Sequence, residues 1–194
     1  MLKQQKVLVF LLPFFLTGCL GRTIIYEPGF PQKEVKPAIS KSQTFRDSYK
    51  SFILKHNPKL DPAKAENIVI YVSESSLEND VDPKLVLALM ARESSFRADV
   101  VSPSGAIGLG QLKELTAKDM GIEDPYDPRE NSRATVKYLS WLLKKSKGSE
   151  DIALASYKMG PGTVDNLISS GTDFPEQTIK YISDIKRFRE TIVD

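Results

Sequence analysis

The chain has 194 residues, 41% hydrophobic and 27% charged, with 12 Pro, 11 Gly and a formal net charge of +2. That length fits one domain with room for a tail, and the composition excludes collagen, a coiled-coil rod and a wholly disordered chain. A single Cys excludes an internal disulfide framework and a Cys-based metal cluster, a single His (His56) excludes a paired-His zinc site, and near-neutrality argues against nucleic-acid binding.

Residues 1–6 are short and basic, with Lys3 and Lys6, and residues 7–16 are apolar with Pro13 inside. Such a run is too short to cross a bilayer as a helix and fits the apolar region of a secretory leader. It ends in Leu16-Thr17-Gly18-Cys19, which resembles the bacterial lipobox, whose Cys is acylated and becomes the new N-terminus. A non-lipidated secretion leader or a buried short helix are the alternatives; the lone Cys standing at the required place favours the lipobox. Buried acyl chains hold a protein to a membrane. Leu20 follows the Cys, and a residue other than Asp there implies outer-membrane sorting in Gram-negative lipoproteins. The expected location is therefore the outer membrane, lipid-anchored and facing the periplasm. Residues 21–44 carry Pro28, Pro31 and Pro37 without a sustained period and read as an extended tether, with a strand at Thr23-Ile24-Ile25-Tyr26 as the alternative. The expected organisation is a leader over 1–18, an acylated Cys19 with linker over 19–44, and one domain over 45–194.

The remainder reads as helices. Residues 45–55 place Phe45, Tyr49, Phe52 and Ile53 on one face. Asp61-Pro62 and Asp82-Pro83 each give an N-cap followed by Pro at the first helical position. Apolar residues follow at helical spacing: Ala65, Ile68, Val69 and Val72 after the first, Leu85, Val86, Leu89 and Met90 after the second. Residues 131–145 are apolar around much of the circumference, which predicts burial, Tyr138 and Trp141 included. Residues 151–159 are more apolar still and stop at Gly160-Pro161-Gly162. Pro175 opens a last amphipathic helix with Ile179, Tyr181, Ile182, Ile185 and Phe188. No long alternating run and no internal repeat appear, so the fold class is mostly α. His56 is expected at the surface.

Glu93 lies seven, four and three residues after Val86, Leu89 and Met90, so it extends the apolar stripe of its helix. It also lies near the helix C-terminus, where the dipole disfavours negative charge. Both effects favour the protonated acid, the state a general acid needs. A solvated helix-end Glu paired with Arg92 or Arg97 is the alternative.

Glu93-Ser94 is followed by Ser102-Pro103-Ser104-Gly105-Ala106-Ile107-Gly108-Leu109-Gly110-Gln111-Leu112, then by Asp124-Pro125-Tyr126-Asp127-Pro128 and Asn131, Tyr138-Leu139, Ala155-Ser156-Tyr157-Lys158-Met159-Gly160 and Tyr181-Ile182. This ordered set resembles the lytic murein transglycosylases with the soluble-type catalytic domain, over residues 80–182. The resemblance implies a compact lysozyme-like helical domain of the goose-type class. It implies cleavage of the β-1,4 bond between N-acetylmuramic acid and N-acetylglucosamine, with closure of a 1,6-anhydro ring. Glu93 is the implied acid and then base, Ser102 orients the acid or the N-acetyl group, Gln111 bonds substrate, and Tyr157 stands beside Glu93. Tyr181 is divided between the site and the core, and Ser102, Gln111 and Tyr157 keep the alternatives of a turn Ser, a solvated Gln and a core ring. The implied partners are peptidoglycan glycan strands and, through the anchor, the membrane, with no cofactor, metal or nucleic acid.

Some positions depart from the family pattern, and Gln177-Thr178-Ile179-Lys180-Tyr181 lacks the Glu and Arg often seen at its first and third positions. Gly110 replaces the usual Met before the Gln, Lys158 the usual Asn, and Met159 a small residue. Lys158 would lower the Glu93 pKa if it pointed there and would be harmless if it snorkelled outward. A hydrolytic muramidase, with Asp99 or Asp127 as second acid, and a catalytically silent murein-binding lipoprotein are the competing functions.

Overall fold

In the computed structural model, residues 41–193 are described, within a unit spanning Ile39–Asp194. Cys19, the leader and most of the linker lie outside them. Eight helices and one two-stranded hairpin are present among these residues: α1 Lys41–His56, α2 Pro62–Asn79, α3 Pro83–Ser94, β1 Ala106–Ile107, β2 Leu112–Lys113, α4 Glu114–Asp119, α5 Pro128–Lys145, α6 Glu150–Met159, α7 Pro161–Ser170 and α8 Glu176–Glu190. No described helix is long and apolar enough to cross a membrane.

The Asp-Pro signals act as read. Asp61 accepts from the N–H groups of Ala63 and Lys64 at 2.8 and 3.1 Å, and Asp82 accepts from Lys84 at 2.9 Å. Asp127-Pro128 is a third such start, accepting from Glu130 at 2.8 Å, and it sets the beginning of α5 three residues before the expected 131. The first helix begins at Lys41, not 45, because no breaker stands between Pro37 and Phe45.

Helix α3 is the axis of the domain. Seven consecutive residues, Leu85 to Ala91, are buried. Packed against this helix are α1, α2, α5 and α8. Burying each of its Leu or Met side chains contributes about 1.5–3 kcal/mol. Arg189 of α8 ion-pairs with Asp82, the cap of α3, and with Glu150 in the first turn of α6, tying three helix ends together.

Four expectations are corrected. Helices α4 and α7 were not foreseen: Gly160-Pro161-Gly162 ends α6 but also starts α7, since Pro161 is pre-set for a first helical turn. Trp141 is 46% exposed, because α5 turns only its Ala134, Val136, Leu139 and Leu142 side inward. Ile179 and Phe45 are also exposed. His56 is half-buried rather than at the surface, with its ring centroid 4.2, 6.4 and 4.9 Å from those of Phe52, Phe96 and Phe188.

Candidate active site

Glu93 occupies the last turn of α3, which stops there because Ser95 turns left-handed (φ 50°) and its N–H returns to the Ala91 carbonyl. Phe96 is also left-handed (φ 56°), an unfavourable conformation for a non-glycine residue. Its fully buried ring, edge-on to Phe52 with centroids 6.0 Å apart, holds it there. The chain thereby leaves α3 at a fixed angle, and the Ser94 hydroxyl donates to the Leu109 carbonyl at 2.7 Å, drawing the following loop back to the helix end.

That loop is braced from within. Ser102-Pro103-Ser104-Gly105 forms a turn in which the Gly105 N–H reaches the Ser102 carbonyl at 2.9 Å, with Gly105 at φ 77°. The Ser102 hydroxyl accepts from the Ala106 N–H at 3.0 Å and pairs with the Ser104 hydroxyl at 3.1 Å. Gln111, at φ 51°, donates its amide to the carbonyls of Val100 and Gly108 at 3.1 and 3.0 Å. The buried Asn131 of α5 staples the loop from behind. It donates to the Ile107 and Pro125 carbonyls at 3.1 and 2.8 Å and accepts from the Gly110 N–H at 2.9 Å. Tyr157 of α6 donates to the Gly110 carbonyl at 2.7 Å.

Between loop, α5 and α6 lies a cavity of about 390 Å³. Among the described residues, Glu93 is its one acidic lining residue, and Lys113 and Lys158 are its cationic ones. Ser102, Gln111 and Tyr157 line it too, with Tyr138, Leu112, Met159 and Pro161 supplying apolar wall. Tyr181 stands behind Glu93, its ring fully buried and its hydroxyl donating to Glu93 Oε1. Burial pushes the Glu93 carboxyl above its ordinary range; the Tyr181 hydrogen bond, then Lys158, then Arg92 pull it partly back. Burial likewise pushes the Tyr157 and Tyr181 phenols well up, and the Glu93 charge adds to it, so both remain hydrogen-bond donors. The Tyr181 ring carries cations at 5.4 Å from Arg92 and 5.3 Å from Lys158. No cluster of His, Cys, Asp and Glu able to hold a metal occurs among the described residues.

Five residues singled out by sequence thus converge: four line the cavity, and Tyr181 both fills the core and touches the acid. The described partners of Ser102 lie within its own turn, so its geometry braces the loop. The Gln111 amide nitrogen is committed to the loop, which leaves its carbonyl oxygen for a ligand. Lys158 points toward Glu93 rather than away. Asp99 and Asp127 do not line the cavity; Asp99 borders a separate hollow and Asp127 caps α5. Tyr138, expected in the core, packs against the small cluster of Leu112, Ala117 and Ala134 and also lines the cavity, its ring stacked on Trp141 at 6.0 Å and 12°. Lys113 and the stapling role of Asn131 were missed; Asp127-Pro128, the same start signal as Asp61-Pro62 but not read as one, places Asn131 in the first turn of α5. Gly110 has a steric reason: a Cβ there would lie 1.9 Å from Thr135 Oγ1. The cavity has no side chain at 110 but gains Met159 on its wall.

Residues 70–180 match the Transglycosylase SLT domain family. The membrane-bound lytic murein transglycosylase F of Pasteurella multocida is 37% identical over 91 residues, 44% of this chain and 18% of that protein. The protein of the same name from Shewanella loihica is 33% identical over 111 residues, 54% of this chain and 22% of that one. This chain therefore spans about a fifth of the length of these relatives. The 70 kDa soluble lytic transglycosylase of Escherichia coli superposes with a TM-score of 0.60 at 19% identity, over 78% of this chain and 29% of that one. An inactive mutant of lytic transglycosylase Slt from Pseudomonas aeruginosa gives 0.56 at 23% identity, over 62% of this chain and 23% of that one. At such identities the likeness establishes the shared fold.

Proposed function

This chain belongs to the transglycosylase SLT domain family, and from that premise we propose that it is a peptidoglycan lytic transglycosylase in which Glu93 acts first as acid and then as base. The observation that carries the reading is Glu93 itself: a buried acid with a raised pKa, alone of its kind in the cavity lining. A glycosidase that hydrolyses with two carboxyl groups needs the second about 5–10 Å from the first. A lone carboxyl suits a reaction that returns its proton within one turnover.

With Oε1 holding the Tyr181 hydroxyl, the Glu93 proton resides on Oε2. It passes to the glycosidic oxygen as the muramic C1–O bond breaks. The C6 hydroxyl of the same sugar then bonds to C1, and its proton goes to the Glu93 carboxylate. Glu93 is regenerated and no water is consumed. Burial keeps the carboxyl protonated at the start, and the Tyr181 hydrogen bond keeps its anion accessible in the middle. Tyr157 and Asn131 hold the loop against the helices, Gln111 offers its carbonyl to the glycan, and Ser102 shapes the turn over the acid. A leader over 1–18 and a linker from Cys19 precede the catalytic domain, which begins with α1 at Lys41 rather than at 45. Cys19 carries the lipid that places the enzyme on the outer membrane, facing the periplasm; the name of the Pasteurella relative, membrane-bound, supports envelope association.

Purified protein incubated with murein sacculi will release muropeptides with anhydro ends, lighter by one water than hydrolytic products, and Glu93→Gln will release none. Reducing ends in place of anhydro ends would establish hydrolysis instead. Binding to sacculi with no soluble product at any pH tested would establish a silent murein binder.

A further inference from the structure

Lys158 places a cation in the cavity where the proposed chemistry gives it no task. It lies in the last turn of α6, where the negative end of the helix favours it, and its ammonium sits over the Tyr181 ring at 5.3 Å. Both contacts hold the charge on the cavity wall. Among the described residues Lys158 makes no salt bridge, although carboxylates take up other cations of these helices, as in Arg92–Asp184 and Lys145–Asp165. An ammonium near Glu93 favours its carboxylate, a task that the Tyr181 hydrogen bond, the larger of the two effects, already performs. Lys113 of β2 lines the same cavity. When Glu93 is protonated, the lining residues carry two positive charges and no negative one. A cavity of that charge favours an anionic ligand.

We propose that Lys158 is a specificity-determining residue that receives a carboxylate borne by the glycan, so that strands with free lactyl carboxylates on muramic acid are preferred over strands in which those groups are amidated. The inference rests on the peptidoglycan reading above. A muramic acid without a peptide carries a lactyl carboxylate; attachment of a peptide turns it into a neutral amide. The ammonium then forms a charge-assisted hydrogen bond with the first kind of strand and loses it with the second.

The test uses the full-length protein in detergent and peptide-free glycan strands, either as prepared or with their carboxylates converted to methylamides. Binding is measured by calorimetry at low and high salt, and anhydro products are followed in parallel. Wild type should bind the free-acid strands about fivefold tighter, the size expected of one partly exposed charge-assisted contact, with the preference shrinking in salt. Lys158→Met should abolish the preference: KM rises on the free-acid strands alone, methylamide strands are bound as before, and any change in kcat from losing the charge beside Glu93 is the same on both kinds of strand. Lys158→Arg should keep it. Equal binding of the two strands by wild type, no binding of either, or a preference surviving in Lys158→Met would overturn the inference. A preference that resides in Lys113 would also overturn it. Intact preference without anhydro products would count against the reaction and leave the carboxylate contact standing.

Discussion

Gly110→Ala is the smallest change that should dislodge the loop beneath the cavity. A Cβ at 110 would lie 1.9 Å from Thr135 Oγ1 and 2.9 Å from both Thr135 Cβ and Cγ2. Rotating the Thr135 side chain moves Oγ1 but not its Cβ, so either the loop or α5 must shift. Gly110 is not among the residues with positive φ, so the cost is steric. Overpacking of this kind costs about 1–3 kcal/mol. A shift also loosens the Tyr157 hydroxyl bond to the Gly110 carbonyl and the Asn131 bond to the Gly110 N–H, each worth about 1 kcal/mol. A total of about 3–5 kcal/mol is expected, which lowers Tm by about 6–20 °C in a domain of this size. Denaturant titration and thermal melting read the effect directly. A double-mutant cycle with Thr135→Gly assigns it, because removing the Thr135 side chain restores the space and should return about 1–3 kcal/mol as coupling. A Gly110→Ala protein within about 0.5 kcal/mol of wild type, or a cycle with no coupling, would refute the steric account of the missing Met.

Glu93→Gln should change stability in a pH-dependent way. Burial raises the folded-state pKa above the unfolded one. The contribution of Glu93 is therefore fully present below the ordinary carboxylate range and is lost as pH rises through its folded value, at about 1.4 kcal/mol for each tenfold difference between the folded and unfolded acid dissociation constants. Melts at acid and neutral pH should show Glu93→Gln gaining on wild type as pH rises; a variant that falls behind at neutral pH contradicts the burial argument. Tyr181→Phe removes the hydrogen bond that favours the Glu93 anion, so the alkaline limb of the kcat/KM profile should move to higher pH while kcat drops about tenfold; a limb moving to lower pH would mean that Tyr181 acts otherwise. Trp141→Ala should cost less than about 1 kcal/mol, against about 3–5 for a buried Trp, and chemical denaturation distinguishes the two.

Much of the scaffold was legible because its signals are local. Asp61-Pro62 and Asp82-Pro83 cap helices through contacts two or three residues away, and the 3.6-residue period of Leu85, Val86, Leu89 and Met90 assigns one side of α3 to the core. The same period carried Glu93 inward and gave the direction of its pKa. Helices α4 and α7 escaped because each is short and lacks a side-chain N-cap; α7 begins at a Gly-Pro-Gly that equally well ends its predecessor. Trp141 was misassigned because apolarity around α5 says nothing about which neighbours arrive. One side met α2, while Tyr138 was left facing the cavity and Trp141 half in solvent.

By itself the sequence determined a mostly helical chain with an acid at the end of a buried helix, since helical period, capping and residue type are written within a few positions. Only the tertiary structure decided that Tyr181, 88 positions away, would hold Oε1 of that acid, that Asn131 would staple the loop, and that Lys158 would face the cavity. Such pairings depend on how helices pack against one another, and packing is a property of the whole set of side chains rather than of any segment.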